Sequence, residues 1–527
     1  MPETSRRRFL GGAAAAAGLA VAAGVPAAHA AAAPSTATAE ERRRVVVIGS
    51  GFGGAVTALR LVEAGIPVLL LERGIRWPTG PDADTFARMF APDNRSAWLS
   101  PTPTLNPVPP AVFEPYTGVI ERVPGAGLDI LCGAGVGGGS LVYHGMTLEP
   151  AEHVLSHVLP MLDHGEMHRT YYPRVAGMLR LATIPDDVLN SPQYLSNQVF
   201  ARHIRAAGLT PEKIPMPIDW DFARAELRGE MAPSYTTGDV IYGVNNGGKH
   251  SLDVTYLAAA EATGLLEIAT LHQVTDVARD AQGRWAVSAD RIDTRGTVLE
   301  KRTIIADALF MGAGVAGTTR LLVRAQGRGT IPGLPDALGT EVGTNGDRIF
   351  TWTTVTENTG ALQGGPACMG VKVWDDPATA HTVVHGPIPV PIESHTMTVI
   401  GFGVTPVRGR YRYDPVRDEA VLTYPRGTEL ALNTAVTRTI NRIVGPLGGV
   451  LVDTTAVDSA TFHPLGGAPM GPVCDTFGRV HDQRGLYVVD GSLIPGSTGA
   501  CNPSMTIAAL AERNVETIVR TDAGTVF

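Results

Sequence analysis

The chain has 527 residues and a formal net charge of −8, with a sequence pI near 6.0. That balance argues against a nucleic acid partner, which needs a basic face. With 44% hydrophobic and 18% charged residues and a mean hydropathy of +0.08, the chain is not a disordered one. Its length allows two or three domains, and its 61 Gly and 39 Pro suit a protein with many turns and close backbone approaches to a ligand.

Residues 1–30 read as a targeting segment. SRRRFL, Ser5 to Leu10, is followed by an Ala-rich apolar run and a small-residue cleavage site, Ala28-His29-Ala30. Paired arginines before Phe9 and Leu10 make a twin-arginine pattern, so the expectation is a secreted protein exported after folding. The competing reading, an uncleaved membrane anchor, is weakened by a run made mostly of Ala and Gly. Residues 31–44 have the composition of a disordered linker. The four cysteines, Cys132, Cys368, Cys474 and Cys501, are too few and too scattered for a disulfide framework or a zinc site. Core thiols, or a single disulfide formed after export, remain as readings.

Val45 to Ile48 form a short run of β-branched residues that predicts a buried strand. Gly49, Gly51 and Gly54 follow as GxGxxG, then AVTALRLVEAG with helical spacing, then PVLLLE as a second strand. Glu72 closes the unit 23 residues after Gly49. In this context the first glycine turns tightly, the second admits a pyrophosphate, the third lets helix and sheet approach, and the acid accepts ribose hydroxyls. An acid there suits a 2′-hydroxyl, hence FAD or NAD.

Residues 95–116 are rich in proline with scattered apolar side chains, and read equally as a lid over an apolar pocket or as a structural loop. LCGAGVGGGSLVYHGM, Leu131 to Met146, places Gly133, Gly135, Gly137, Gly138 and Gly139 close together, leaving backbone N–H groups unobstructed. Such a loop can wrap a second phosphate or lie along an isoalloxazine ring. ADALFMGAGVAGTTRLLVRA repeats the strand, turn (Gly312, Gly314, Gly317) and helix pattern. Two such turns and a glycine belt point to FAD. Alternating segments in 346–425 predict sheet. Near the end, TFHPLGGAPMG holds His463, and Asn502 stands before Pro503 and an apolar helix.

GAGVGGGSLV, DVIYGVNNGGKHSLDVTYLAAA, LHQV, FHPLGG, GLYVVDGSLIPGS and NPSMTIAALAERNVE resemble the glucose-methanol-choline (GMC) oxidoreductases, and within them the bacterial cholesterol oxidase branch. The resemblance covers nearly all of the chain after the targeting segment. It implies an α/β (α+β) fold: a discontinuous Rossmann-like FAD-binding domain (45–150, 240–345 and 460–527) and a substrate-binding domain (151–239 and 346–459) on a large mixed or antiparallel sheet. It implies non-covalent FAD, contacted by the backbone of Val274, by Asp490 and Gly491 near the ribityl chain, and by Met505. Gly133, Gly137, Gly138, Gly139, Ser140, Tyr143, Gly145, Met146, Gly314, Asn502 and Pro503 complete the implied cofactor set.

A flavin takes a hydride from an alcohol carbon, and the protein must manage the hydroxyl proton. His463 suits that task, since imidazole titrates near neutrality, and Asn502 can hold the alcohol oxygen through its amide. Alone, His463 would read as a packed histidine; Pro464 and the Gly466-Gly467 pair match the family's active-site loop. A metal role is not expected, because no second histidine or carboxylate repeats at ligand spacing nearby.

The sequence departs from the family at one residue of consequence. Cholesterol oxidases carry a glutamate in a segment like VFAEIAPMP that moves a proton between ring carbons, and an ungapped placement on Trp374, Pro387 and Pro389 puts Val384 there. His385 would point to the opposite strand face, and Glu393 matches a second, structural glutamate; these two are the candidate substitutes. Beside the flavin, Tyr143 and His144 replace the Asn-Gly of relatives. The resemblance therefore implies oxidation of a 3β-hydroxysteroid to its ketone with hydrogen peroxide release and doubtful Δ5 to Δ4 isomerisation. A GMC-type oxidase or dehydrogenase of another bulky secondary alcohol is the alternative, and a non-catalytic flavin- or lipid-binding protein a third. Molecular oxygen as acceptor, transient membrane-surface contact and a monomer complete the expectation.

Overall fold

A computed structural model describes residues 39–80, 84–105, 112–425, 427–455 and 459–527. The targeting segment, linker residues 31–38 and part of the proline-rich loop lie outside these residues. The expected strand at Val45 to Ile48 is the end of a longer one, Ala39–Ile48. The charged residues 41–44, expected to be linker, are strand because Ala39–Ile48 pairs in parallel with Val298–Met311 from Ala39↔Arg302 onward. Glu41 pairs with Arg302, and Arg43 with Glu267 at 2.7 Å. Charges on a sheet rim carry no apolar signal, so composition alone reads them as tether.

Seven strands form the first sheet, in the order Leu266–Ala269, Val68–Leu71, Ala39–Ile48, Val298–Met311, Trp285–Ile292 and His272–Arg279, with Leu486–Val488 also paired to Val298–Met311. The strands 39–48, 68–71, 266–269, 298–311 and 486–488 run parallel, as connections through helices require. Val45, Val46, Val47, Val68 and Leu70 are at most 2% exposed, which explains a continuous rather than alternating apolar pattern: both sheet faces are covered. The helices Phe52–Glu63, Gly314–Arg328 and Pro503–Asp522 follow the glycine turns and the Asn502 corner.

The second sheet has six antiparallel strands, in the order Val450–Asp453, Arg348–Thr353, Thr396–Gly403, His381–Gly386, Met369–Val373 and Glu212–Lys213. This is the sheet expected within 346–425, and the helices Leu195–Ala206 and Leu430–Val444 share its apolar core.

Two segments expected to belong with it pack elsewhere. The hairpin Arg410–Asp414 and Glu419–Thr423 lies on the helix Gly314–Arg328, where Asp418 pairs with Arg324 and Arg328 and an added Cβ at Gly327 would meet the Tyr413 ring at 2.2 Å. Residues 152–179 join the core of the seven-stranded sheet through Leu155, Met167, Tyr172 and Val175, and the Tyr172 hydroxyl meets Thr506 at 3.2 Å. No helix among the described residues is long and apolar enough to cross a membrane.

Candidate active site

A cavity of about 800 Å³ extends from the glycine turn after the first strand to His463. The glycines near it are of two kinds. At Gly49 (φ +90°) and Gly54 an added Cβ would lie 2.4 and 1.9 Å from backbone oxygens, so only glycine lets strand, turn and helix close together. At Gly51, Gly139 and Gly314 no atom lies within 4 Å of the added Cβ, and all three line the cavity.

Gly51 caps the 12-residue helix Phe52–Glu63 without a side-chain hydrogen bond. The helix therefore turns uncapped amide N–H groups and the positive end of its dipole toward the cavity, an arrangement that suits a diphosphate. A glycine cradle that side chains would fill, set at a helix N-terminus, fits FAD.

Glu72 and Asp490 brace this cradle. In Glu72, Oε2 accepts from Ser50 N (3.2 Å) and Ser50 Oγ (2.6 Å), and Oε1 from Gly74 N (2.8 Å) and Gly135 N (3.3 Å). The protein thus supplies about as many donors as a carboxylate accepts, and a ribose hydroxyl must displace one of the longer bonds. Asp490 accepts from Gly314 N (2.8 Å), Thr318 Oγ1 (2.5 Å), Ser492 N (2.9 Å) and Ser492 Oγ (2.5 Å). Burial nonetheless raises its carboxyl above the usual range.

Gly133, Gly138, Tyr143, Met146, Val274, Gly491 and Pro503 also face the cavity. Gly54, Gly137, Ser140, Gly145 and Met505 do not. Gly54 packs on the turn behind the cavity, and the Ser140 hydroxyl donates to Gly137 O (2.7 Å) while accepting Leu252 N (3.0 Å). Gly145 supplies a left-handed turn (φ +102°), and Met505 enters the core of the seven-stranded sheet.

At the other end, His463 Nδ1 lies 2.6 Å from Asp347 Oδ1. Asp347 Oδ2 accepts from Thr461 Oγ1 (2.7 Å), Phe462 N (3.0 Å) and His463 N (3.1 Å), and Phe402 packs edge-on against the imidazole at 5.8 Å. Sequence reading missed Asp347, in the turn Thr344-Asn345-Gly346-Asp347. Its only local signal is turn chemistry, an Asn at φ +53° and a Gly at φ +74°.

Asn502 lines the same cavity, but its amide is committed. The Nδ2 group donates to Met146 O and to Ser504 Oγ (2.6 Å), and Oδ1 accepts from Leu148 N (3.2 Å). It pins residues 146–148 to the start of the last helix, and holding an alcohol oxygen requires releasing one of these bonds.

Neither candidate isomerisation base reaches the cavity. His385 is fully buried with its ring toward Phe200, and burial pushes its pKa down to about 3. Val384 stands directly across from the cavity-lining Ile400, hence on the cavity-side face, with His385 on the opposite one. Glu393 is spent on backbone donors, Thr359 N (3.1 Å), Gly360 N (2.7 Å) and His395 N (2.8 Å).

His144 does line the cavity, and burial, reinforced by Lys249 and His463, lowers it to about 4, which keeps it neutral. Tyr143 packs edge-on against Phe52 at 5.5 Å, and the Lys249 ammonium sits 5.3 Å from the Tyr143 ring while donating to Leu141 O (2.6 Å) and Tyr143 O (3.1 Å). The four cysteines are free thiols. Among the described residues, no group of three His, Cys, Asp or Glu could hold a metal ion.

Residues 431–511 match the family model for GMC oxidoreductase, and residues 345–450 that for GMC oxidoreductase, C-terminal. A cholesterol oxidase from Mycobacterium tuberculosis is 27% identical over 88% of this chain and 89% of its own length. One from Acinetobacter baumannii is 24% identical over 88% and 92%. Among solved structures, a fungal aryl-alcohol oxidase superposes with TM-score 0.63 at 14% identity, over 91% of this chain and 99% of the other. Pyridoxine 4-oxidase from Mesorbium loti gives 0.60 at 15%, over 90% and 99%. At these identities the structural likeness speaks for the fold.

Proposed function

The chain belongs to the GMC oxidoreductase family and is cholesterol oxidase-like, and from that premise we propose that it is an exported, FAD-dependent oxidase of a 3β-hydroxysteroid that releases the ketone and hydrogen peroxide. The observation that carries this reading is the single cavity that joins the glycine cradle to His463. Gly49, Gly51, Gly138, Gly139 and Gly314 would hold FAD non-covalently, with Glu72 and Asp490 fixing the loops around it. When bound, FAD supplies the two-electron acceptor for the carbinol hydride.

His463 accepts the hydroxyl proton. Its Nδ1 is engaged by Asp347, and no described protein atom bonds Nε2, which leaves that nitrogen for the substrate oxygen. Ile349, Thr398 and Ile400 of the six-stranded sheet, with Met89, Leu105 and Ile241, make the cavity wall largely apolar, as a bulky alcohol requires. Leu105, in the described part of the proline-rich loop, supports the lid reading. The twin-arginine pattern supports export, and the oxidase relatives support oxygen as acceptor and an alcohol substrate.

Because Val384 occupies the cavity-side face and neither His385 nor Glu393 reaches the cavity, the ketone is released unconjugated. Anaerobic mixing of the FAD-loaded protein with cholesterol tests this reading. Bleaching of the visible flavin band, followed in air by an unconjugated ketone, is the expected result. A flavin that stays oxidised with cholesterol but bleaches with another bulky secondary alcohol would move the substrate. Rapid appearance of the conjugated enone band in the ultraviolet would overturn the isomerisation claim.

A further inference from the structure

We infer that Asp347 is the residue that positions His463 for proton transfer, fixing its tautomer and offsetting the charge it acquires; this deepens the proposed function and rests on it for the identity of the transferred proton. Three observations converge. The carboxylate is 6% exposed and 2.6 Å from Nδ1, shorter than an ordinary N–H···O bond, as charge-assisted hydrogen bonds are. Its second oxygen collects Thr461 Oγ1 and the backbone N–H groups of Phe462 and His463, so one carboxylate holds both the ring and the loop that bears it. A ring clamped at Cα and at Nδ1, with Phe402 against its face, has little freedom to turn away from the cavity.

The turn that presents Asp347 is itself anchored to the other side of the site. Asn345 Nδ2 donates to O of Cys501 (2.6 Å), the residue before Asn502, and Asn345 Oδ1 accepts from Thr498 N (3.0 Å). An added Cβ at Gly346 would lie 2.5 Å from Gly403 O, so glycine is required for the turn to sit against the six-stranded sheet. The segment Thr344 to Asp347 thus sets the spacing between the loop carrying His463 and the corner carrying Asn502.

The chemistry follows from the donor count. An ionised carboxylate only accepts, so the bond at Asp347 Oδ1 places the proton of neutral His463 on Nδ1 and the lone pair on Nε2. The alcohol O–H bond breaks with its proton going to Nε2, while the carbinol carbon, losing its hydride to the two-electron acceptor, is oxidised to the ketone. The imidazolium that results keeps its Nδ1–H on Asp347 Oδ1, so the new positive charge faces that carboxylate. His144, which lines the same cavity, is kept neutral by burial and adds no opposing charge.

The test uses the full-length FAD-loaded protein with ¹⁵N-labelled histidine, His463→Gln to assign the signal, and the pair Asp347→Asn and Asp347→Glu. In the wild type the ¹⁵N shifts should report Nδ1 protonated and Nε2 bare. Asp347→Asn should lose that pattern and lower kcat about 10²- to 10⁴-fold with KM changed little, while Asp347→Glu recovers part of both. Flavin retention and far-ultraviolet circular dichroism separate these outcomes from misfolding. A wild-type His463 protonated on Nε2, or an Asp347→Asn protein with kcat within threefold of wild type, would overturn the inference. If no alcohol reduces the wild-type flavin, the proposed function fails, and the tautomer measurement still decides the role of Asp347.

Discussion

Exchanging two glycines of the first turn should separate cofactor binding from stability. At Gly51 the backbone (φ −70°) is ordinary for any residue and an added Cβ has no atom within 4 Å, so Gly51→Val starts its side chain in open space at the cavity wall. Apoprotein stability should change by no more than about 0.5 kcal/mol, as for a surface substitution. The valine would, however, screen the amide N–H groups that begin the helix. Displacing two charge-assisted hydrogen bonds at about 1.5–3 kcal/mol each predicts a loss of about 3–6 kcal/mol, or at least about 100-fold in FAD affinity. Gly54→Ala should do the reverse: its Cβ would lie 1.9 Å from Gly49 O, and the backbone shift needed costs about 1–3 kcal/mol or more. Urea unfolding of the apoproteins and quenching of flavin fluorescence on titration give the two quantities. Wild-type FAD affinity in Gly51→Val, or wild-type stability in Gly54→Ala, would refute the assignment of these glycines.

Three further outcomes are expected. Burial lowers the Lys249 amine from 10.5 to about 7, so between those pH values the unfolded chain holds a proton that the native protein has released. Stability should therefore rise with pH across that window and flatten below it, and Lys249→Met should remove the slope in urea unfolding measured near either end. The Arg348–Glu429 pair, at 2.6 Å with side chains 10% and 6% exposed, predicts a loss of about 3–5 kcal/mol for Glu429→Leu alone. The double variant with Arg348→Met should regain most of it, and a single-variant loss under about 1 kcal/mol in the denaturation midpoint would count against the pair. Finally, thiol titration of the unfolded, unreduced protein should find four reactive cysteines. The native protein should react slowly, since the half-buried Cys132 has its thiol pushed up to about 12. Two thiols instead of four would mean a disulfide.

The first glycine turn was legible because its determinants are local. Strand, glycines, helix and Glu72 lie within 28 residues, Val45 to Glu72, and each glycine's role follows from backbone sterics within that span. His463 was legible for a similar reason, through its short surrounding motif. What the spacing could not convey was which side chains the finished sheets bring together. Asp347 meets His463 across 116 residues, and Asn502 meets the backbone of Met146 across 356.

Even in regular strands one residue decides the face. Val384 and His385 differ by a single step, and only the pairing of Val384 with Ile400 says which one lies on the same sheet face as the cavity-lining Ile400. The charges at 41–44 are strand rather than linker because Glu41 and Arg43 find partners at Arg302 and Glu267, contacts absent from their own neighbourhood. The sequence by itself determined the first glycine turn, whose signature is steric and local, and singled out His463 through its short motif. Only the tertiary structure decided what orients that histidine, what occupies the amide of Asn502, and which acids are excluded from the cavity, because those are long-range pairings set by sheet register and loop anchoring.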